Sequence, residues 1–434
     1  MQFCLRARGG GDTGEKLAKG GFSQQPQRAS SSTSSDSLRR KMALAMVFAA
    51  LFNDTLQVSL LVPMLPSLIR QTGISENAEI AMGIFFASKD IFQLLGAPVA
   101  GWLTQVVGCQ VALTASTVGL GVATLVFAQA TSFPSLLIAR SCQGAASAAV
   151  LCGGLSLVAE THPSEIRGRA MGLACTGLAM GVLCGPLLGG LLFSHFGQKT
   201  TFRLAACVVL LNAAAQMILS KLAPAEKFIE TAGPSDSSET KASYAALLRN
   251  RQVMMVATSI ALIYAFLGFI KPVSQIILEE EFNMQMMGRS LVITIATAAN
   301  FIGTPLAGWW SDRIKARSKL VATSLLFMSL SSFFFCLRQT VLGLPAFCIS
   351  VGFVGFALAF NRSVGSALLA DLVDRHQLGS YGMAFALADM ADSLGLILGP
   401  TLGLTISQHF GKNSGALCLG ILCLVLVPPL FAIP

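Results

Sequence analysis

The sequence predicts an all-α membrane protein with about twelve transmembrane helices in two halves of six. The first observation behind this prediction is composition: 53% of the 434 residues are hydrophobic and only 12% are charged. An ordinary soluble domain carries roughly 25% charged residues, so this chain lacks the charge to cover its surface against water. The second observation is a series of apolar runs of about 20 residues, the length that a hydrocarbon core of about 30 Å requires.

The apolar runs form two groups of six. They begin near Met42, Ile80, Val111, Pro134, Ala170 and Phe202, and again near Gln252, Gly288, Leu320, Leu344, Tyr381 and Ser414. Each run is expected to be a helix, because backbone groups in lipid must be satisfied within their own segment. We therefore expect one half over residues 42–221, a cytosolic linker over 222–251 and the other half over 252–434.

The first 41 residues are polar and contain no apolar stretch of the kind found in a secretory signal. The favoured interpretation is a disordered cytosolic tail. The region is also rich in Arg and Ser and poor in acids, which leaves a transit peptide as the alternative.

Basic residues alternate between the two sides of the predicted helices. One side holds Arg39, Arg40, Lys41, Arg167, Arg169, Lys221, Lys227, Lys241, Arg249, Arg251, Arg313, Lys315, Arg317, Lys319 and Arg375. The other side holds only Arg70, Lys199, Arg289, Arg338 and Lys412. Positively charged loops stay in the cytoplasm, so both termini and the linker are predicted to be cytoplasmic. The net charge of +9 thus reflects topology, and no nucleic-acid partner is expected.

Cofactor, metal and enzyme classes find no support in the motifs. The eleven cysteines lie mostly in or beside apolar runs and show no CxxC spacing, which is typical of small apolar residues in helices. The four histidines form no HExxH motif, and we find no nucleophile–base pair or phosphate loop. The chain is therefore not expected to be an enzyme or to bind a cofactor or metal.

The two halves resemble each other in sequence. Residues 96–102 (GAPVAGW) recur as residues 303–309 (GTPLAGW), and the glycine-rich residues 181–197 recur as 395–411. Because each half contains an even number of helices, the repeat is parallel, with its axis along the membrane normal. Such repeats enclose a cavity near the midplane, which suits alternating access.

Four stretches resemble signatures of the major facilitator superfamily. Residues 308–317 resemble its cytoplasmic loop motif, whose first-half copy at 101–108 lacks the Asp and the Arg. Residues 140–144 resemble its fourth-helix arginine motif, and residues 177–190 its fifth-helix antiporter motif. This resemblance implies the major facilitator fold and secondary transport. Conformational roles are expected for Gly181, Gly185, Pro186, Gly189, Gly308, Asp312, Arg313, Gly399 and Pro400.

These conformational residues fall into two kinds. Glycines at every fourth position let helix backbones approach closely, so the glycine helices are interpreted as a hinge or seal and not as a ligand site. Pro186 and Pro400 each remove a backbone hydrogen bond and are expected to bend their helices. Asp312, Arg313 and Arg317 are expected to form a cytoplasmic clasp between helices, with a solvated run of charges as the alternative.

Within the superfamily, residues 53–66, 85–89, 166–172 and 380–389 resemble the vesicular amine transporters. Those relatives exchange luminal protons for cytosolic cationic amines. The resemblance implies that Asp54 and Asp389 handle protons and substrate and that Lys89 pairs with such acids.

The chain departs from these relatives at two acidic positions and in one loop. Lys271, before Pro272, stands where they carry a glutamate, and Arg362 stands where they carry an aspartate. Their long luminal loop after the first helix is also absent. Lys271 and Arg362 either neutralise Asp54 and Asp389 or bind an anionic or zwitterionic substrate. A third alternative places Lys271 at a helix end, with its side chain reaching the membrane interface.

Charged residues inside apolar spans are costly and indicate function by default. The proton-coupling and substrate candidates are Asp54, Asp389, Lys89, Arg140, Lys271, Arg362 and Asp392. The alternative for the set is ion pairs that only fix helix packing, and for Arg140 a structural anchor. Lys89 is preferred over its neighbour Asp90 as the residue that faces the cavity.

The expected function is proton-coupled antiport of a small organic, amine-like solute by alternating access. The expected partners are that solute, protons and the lipid bilayer, and a vesicle or other endomembrane is the favoured location. A plasma-membrane multidrug exporter of the same superfamily and a non-transporting membrane sensor with this fold are the alternatives.

Overall fold

The computed structural model describes residues 34–65, 68–69, 72, 78–222, 244–314, 316–340 and 342–432. The expected N-terminal tail before residue 34 and linker residues 223–243 lie outside the described part of the chain. The basic residues Arg70, Lys227, Lys241 and Lys315 lie outside it as well.

The first half is built of six helices. The first four are α1 (Ser34–Leu61), α2 (Ala78–Val107), α3 (Cys109–Gln129) and α4 (Phe133–Thr161). Helices α5 and α6 share the stretch Ser164–Leu222, which is interrupted at Gly197, where φ is 71°. Glycine adopts this left-handed conformation without the steric cost of a side chain, and it separates the two helices. Helix α1 begins at Ser34, inside the segment that was expected to be a disordered tail ending at residue 41.

The second half also contains six long helices and follows a short linker helix, Tyr244–Arg249. They are α7 (Arg251–Glu280), α8 (Met286–Ile314), α9 (Arg317–Leu337), α10 (Gly343–His376), α11 (Tyr381–Phe410) and α12 (Lys412–Phe431). The side chain of Asn250 caps α7 by accepting hydrogen bonds from the first-turn N–H groups of Gln252 and Val253. Ser380 caps α11 in the same way through the N–H group of Met383.

Ten helical stretches among the described residues are long and apolar enough to span a membrane. One of them, Ser164–Lys221, contains both α5 and α6. Helix α2, at 30 residues, is also long enough and carries Lys89 and Asp90 within its span. The chain is therefore an integral, multi-pass membrane protein, and its described long helices number twelve.

Glycines bring helices into backbone contact at matching places in the two halves. A Cβ atom on Gly185 of α5 would lie 2.9 Å from the carbonyl carbon of Ser59 in α1. A Cβ atom on Gly399 of α11 would lie 2.8 Å from the carbonyl carbon of Ala265 in α7. Only glycine permits such an approach, and both contacts follow the pseudo-symmetry of the repeat.

The two halves meet through two further glycine contacts. Gly101 of α2 packs on α11, where its Cβ position is 2.9 Å from the Gly382 carbonyl oxygen. Gly308 of α8 packs on α5, where its Cβ position is 2.8 Å from the Cα atom of Gly172. Both contacts lie toward the face of the protein at which α1 begins and the linker helix lies, which we call the linker side.

Candidate functional site

A chain of three buried side chains on α2 and α11 joins the two halves. Lys89 Nζ donates to Gln93 Oε1 at 2.6 Å, and Gln93 Nε2 donates to Asp389 Oδ1 at 2.7 Å. Lys89 and Gln93 are four residues apart and therefore lie on one face of α2. We call this chain of hydrogen bonds the midplane relay.

The side chain of Gln93 has one orientation that suits both neighbours. Its carbonyl oxygen must face the ammonium group, which only donates, and its NH₂ group must face the carboxylate, which accepts. The second carboxylate oxygen, Asp389 Oδ2, is buried and has no hydrogen-bond partner among the described residues. The Gln93 amide thus bridges Lys89 and Asp389, and one oxygen of the Asp389 carboxylate can still accept a hydrogen bond.

Arg362 forms its ion pair with Asp392 and not with Asp54 or Asp389, the acids that the sequence analysis offered as its partners. The Arg362 NH1 to Asp392 Oδ2 distance is 2.7 Å, and the guanidinium lies 5.8 Å from the ring centre of Tyr264. Within the described structure, Arg362 Nε and Asp392 Oδ1 are buried without hydrogen-bond partners. The pair therefore keeps one donor and one acceptor unused.

Lys271 faces the space between the halves. Its side chain is exposed, and it interacts electrostatically with Asp90 of α2 and Asp392 of α11. A lysine that reached along the helix toward the membrane surface would not lie near acids of both halves. The described ion pairs do not include Lys271. Asp90, which was set aside in favour of Lys89, also belongs to this electrostatic environment.

Asp54 lies apart from the midplane relay, inside the first half. It is buried and accepts a hydrogen bond from the Ser147 hydroxyl of α4. Arg140 of α4 is also buried and interacts electrostatically with Asp90 and Asp54. The Arg140 guanidinium also lies 5.6 Å from the ring centre of Phe85, a cation–π contact.

Each half has a buried side-chain amide on its fourth helix that donates a hydrogen bond to its third helix. In the first half, Gln143 of α4 donates to Thr124 of α3 at 3.1 Å. In the second half, Asn361 of α10 donates to Ser324 of α9 at 3.3 Å. The halves therefore repeat polar packing as well as glycine packing.

A second network of charges closes the linker side, and Arg167 at the start of α5 is its first member. The guanidinium, 5% exposed, lies 2.9 Å from Asp371 and 2.6 Å from Asp374 at the end of α10. Arg167 also donates to the carbonyl oxygens of Ala159 and His162 at 3.3 Å each. One side chain thus ties the first half to the second.

Arg317 of α9 is the second member, and like Arg167 it links α5 to α10. It pairs with Asp312 at 3.1 Å and with Asp371, and it donates to the Ser164 carbonyl oxygen at 2.6 Å. Asp312 in turn accepts from the backbone N–H groups of Gly168 and Arg169 at 2.8 Å each. A carboxylate at the N-terminus of α5 also complements the helix dipole.

We call the set Arg167, Asp312, Arg317, Asp371 and Asp374 the linker-side clasp. Arg313, which was expected to belong to it, is exposed and instead stacks on Trp309 of its own helix, with 3.9 Å between guanidinium and ring centre. Arg313 takes no part in the described ion pairs between the halves.

Sequence reasoning missed several members of these networks. Gln93 and Ser147 are uncharged, so nothing in the pattern separated them from other polar residues in apolar helices. Arg167 was counted only as a charge that sets topology. Asp371 and Asp374, three residues apart and hence on one helix face, carried a usable signal that was overlooked. In the described structure, no group of three or more His, Cys, Asp or Glu side chains is placed to hold a metal ion.

Comparison with known families matches residues 47–275 and 256–434 to the Major Facilitator Superfamily. Together these two matches cover most of the chain, and they overlap within α7. The chain belongs to the Major Facilitator Superfamily, and the predicted fold class is confirmed.

Vesicular transporters are among its relatives. The chain is 28% identical to the synaptic vesicular amine transporter of Mus musculus over 357 residues, or 82% of this chain and 66% of that protein. It is 25% identical to a probable vesicular acetylcholine transporter-B of Danio rerio over 422 residues, or 95% of this chain and 81% of that protein. The predicted resemblance is confirmed, and these relatives are transporters and not enzymes.

Solved structures of the same fold superpose on most of the chain. The human organic anion transporter MFSD10 (TETRAN) matches with a TM-score of 0.73 and 18% identity, covering 90% of this chain and 99% of that one. A proton:xylose symporter of this superfamily matches with a TM-score of 0.72 and 15% identity, covering 91% and 95%. At these identities the likeness concerns the fold.

Proposed function

We propose that this protein is a secondary active transporter that exchanges protons for a small organic, amine-like solute by alternating access. The observation that carries the proposal is the midplane relay, a buried lysine and aspartate joined through Gln93 across the two halves. Charges at this depth are costly to bury, and the cost is justified when they bind or release a proton or a solute.

The relay suggests how proton binding and conformation are linked. Asp389 Oδ2, which has no described partner, is the oxygen that takes the proton. Protonation removes the negative charge that Gln93 and Lys89 stabilise, so the contact between α2 and α11 weakens. A nearby cationic group has the opposite effect and favours the charged carboxylate. Proton and cationic solute therefore compete for one acidic site.

Asp54 supplies the second acidic group of the proposed mechanism. It holds the Ser147 hydroxyl on α4 and lies in the field of Arg140. Substituting Asp54 alters the first half without breaking the midplane relay, which makes it the cleaner test of a coupling role.

The linker-side clasp supplies the gate. The ion pairs of Arg167 with Asp371 and Asp374 join the linker-side ends of the halves, and so does the hydrogen bond from Arg317 to the Ser164 carbonyl oxygen. Alternating access requires such contacts when the pathway is closed on that side. We take the linker side as cytoplasmic, because its loops carry most of the basic residues. With relatives named as vesicular transporters, a vesicle membrane is the proposed location.

The test is ligand-driven proton efflux from acidified proteoliposomes, screened with panels of organic amines and organic anions. The wild type should release protons when one ligand class is added, and Asp54→Asn should lose that release. Glu279→Gln is the matched control, because Glu279 is 64% exposed and lies at the end of α7 away from the relay.

Three outcomes would contradict the proposal or the role that it gives to Asp54. Ligand-independent proton leakage, or no release with either panel, would favour the non-transporting sensor. Full release from Asp54→Asn would remove Asp54 from the coupling mechanism.

A further inference from the structure

We propose that the transported solute is a zwitterion of the amino-acid type, whose carboxylate is bound by Lys271 and Arg362 and whose ammonium group is bound by Asp389 and Asp392. This inference rests on the proposed function and names the solute class for the same midplane site.

The cationic part of the proposed site has donors to spare. Lys271 is exposed toward the space between the halves and has no described hydrogen-bond or ion-pair partner for its ammonium group. Arg362 donates to Asp392 through NH1, while its Nε group is buried and has no partner among the residues that the structure describes. Both side chains interact electrostatically with Asp392, so they lie on the same side of the space. A carboxylate accepts hydrogen bonds from such donors.

The acidic part has acceptors to spare. Asp389 Oδ2 and Asp392 Oδ1 are both buried without described partners, and each carboxylate is bonded only through its other oxygen. The two residues are three apart on α11 and share a helix face. An ammonium group, which only donates, matches these two oxygens.

Charge balance separates a zwitterion from a plain amine. The membrane interior of this protein holds four acids, Asp54, Asp90, Asp389 and Asp392, and four bases, Lys89, Arg140, Lys271 and Arg362. A zwitterion enters without changing that balance and pairs with unused groups of both signs. A plain amine brings a second cation near Lys271, which like-charge repulsion disfavours.

The experiment compares matched pairs of probes that differ only in the carboxylate: L-histidine and histamine, L-tyrosine and tyramine, and L-tryptophan and tryptamine. Binding is measured on purified full-length protein by isothermal titration, and exchange is measured in proteoliposomes. In at least one pair the wild type should bind the amino acid more tightly than the amine. Lys271→Gln should weaken that amino acid by about tenfold or more, the loss expected for one charged hydrogen bond.

Three variants make the result specific. Lys271→Arg keeps the charge and should keep the preference for the amino acid, while Lys271→Glu should reverse it toward the amine. Lys319→Gln, at an exposed lysine on the linker side, should bind both members of each pair as the wild type does. The inference predicts opposite results for the arginine and glutamate variants. These two variants therefore still test it if the glutamine variant fails to fold.

Preference for the amine in every pair, equal binding of both members, or binding of neither would overturn the inference. So would a ratio of affinities that Lys271→Gln and Lys271→Glu leave unchanged. The proposed function fails separately: an amino acid that binds through Lys271 but moves no protons would contradict antiport and support this inference. Proton exchange driven only by amines would support antiport and contradict this inference.

Discussion

Arg167→Gln is the change that should most directly open the linker-side clasp. The guanidinium of Arg167 forms ion pairs with Asp371 and Asp374, which belong to the other half. Glutamine is shorter than arginine and uncharged, so both carboxylates lose this partner. We expect the linker-side ends of the halves to separate more often.

The size of the effect follows from the exposure of the partners. Arg167 is 5% exposed, and removing one partner of a buried pair costs about 3–5 kcal/mol. Asp374 is 44% exposed, so solvent screening reduces its share to at most about 1 kcal/mol. Asp371 is 21% exposed and still forms its ion pair with Arg317, so the cost of losing Arg167 is smaller at this carboxylate as well. A net loss of about 2–3 kcal/mol corresponds to a shift of about 30- to 140-fold toward the separated form.

Hydrogen–deuterium exchange measured by mass spectrometry reads this shift without labels or added cysteines. Exchange of the Gly168 and Arg169 amides, which donate to Asp312, should accelerate by about that factor, because exchange through local opening follows the opening equilibrium. Peptides that cover residues 371–381 should also accelerate.

Arg313→Gln is the matched control for this prediction. Arg313 is exposed, stacks on Trp309 of its own helix and forms no described ion pair with the other half. Exchange in Arg167→Gln that equals exchange in the wild type and in Arg313→Gln would refute the clasp as the contact that holds the linker side closed.

Two further predictions concern stability in detergent. Gly399→Ala should lower the melting temperature, since its Cβ atom would lie 2.8 Å from the carbonyl carbon of Ala265 and overpacking costs about 1–3 kcal/mol. Gly190→Ala should leave the melting temperature unchanged, because its Cβ atom would meet nothing within 4 Å. An equal decrease in melting temperature for both variants would show that overpacking is not the cause. Arg338→Gln should lose about 3 kcal/mol of stability, because Glu281 and Asn413 lose the buried guanidinium that donates to them. A melting temperature like that of the wild type would contradict this.

The fold was predictable from the sequence because membrane helices obey a strong length rule. Apolar runs of about 20 residues are sufficient to locate such helices. The glycine spacing on α5 and α11 likewise predicted backbone contacts, since only glycine permits them. Helix α1 began earlier than expected because its first residues, from Ser34 onward, are polar and lie outside the apolar run.

The partners of the charged residues were not predictable in the same way. Arg362 and Asp392 lie on different helices, 30 residues apart in sequence, and no periodic pattern links such positions. Gln93 and Asp389 are 296 residues apart in sequence, and an amide carries no charge that would suggest a partner. Pairing of this kind depends on helix rotation, which a single sequence does not fix.

The loop motif carries an aspartate in the second half and a glutamine at the matching position of the first half. Asp312 caps the start of α5, whereas the matching position in the first half is the exposed Gln105. The α5–α8 contact therefore includes a carboxylate that bonds across the halves, whereas the matching position in α2 holds an uncharged amide.

The measurement that most directly tests the central claim compares wild type and Asp389→Asn for solute accumulation driven by a pH gradient in proteoliposomes. The wild type should accumulate its solute, and the accumulation should collapse when the gradient is removed. Asp389→Asn keeps the hydrogen bond from Gln93 but not the titratable carboxyl group, so the pH gradient should no longer drive accumulation of the solute. Full, gradient-dependent accumulation by Asp389→Asn would contradict the claim that the midplane relay carries the proton.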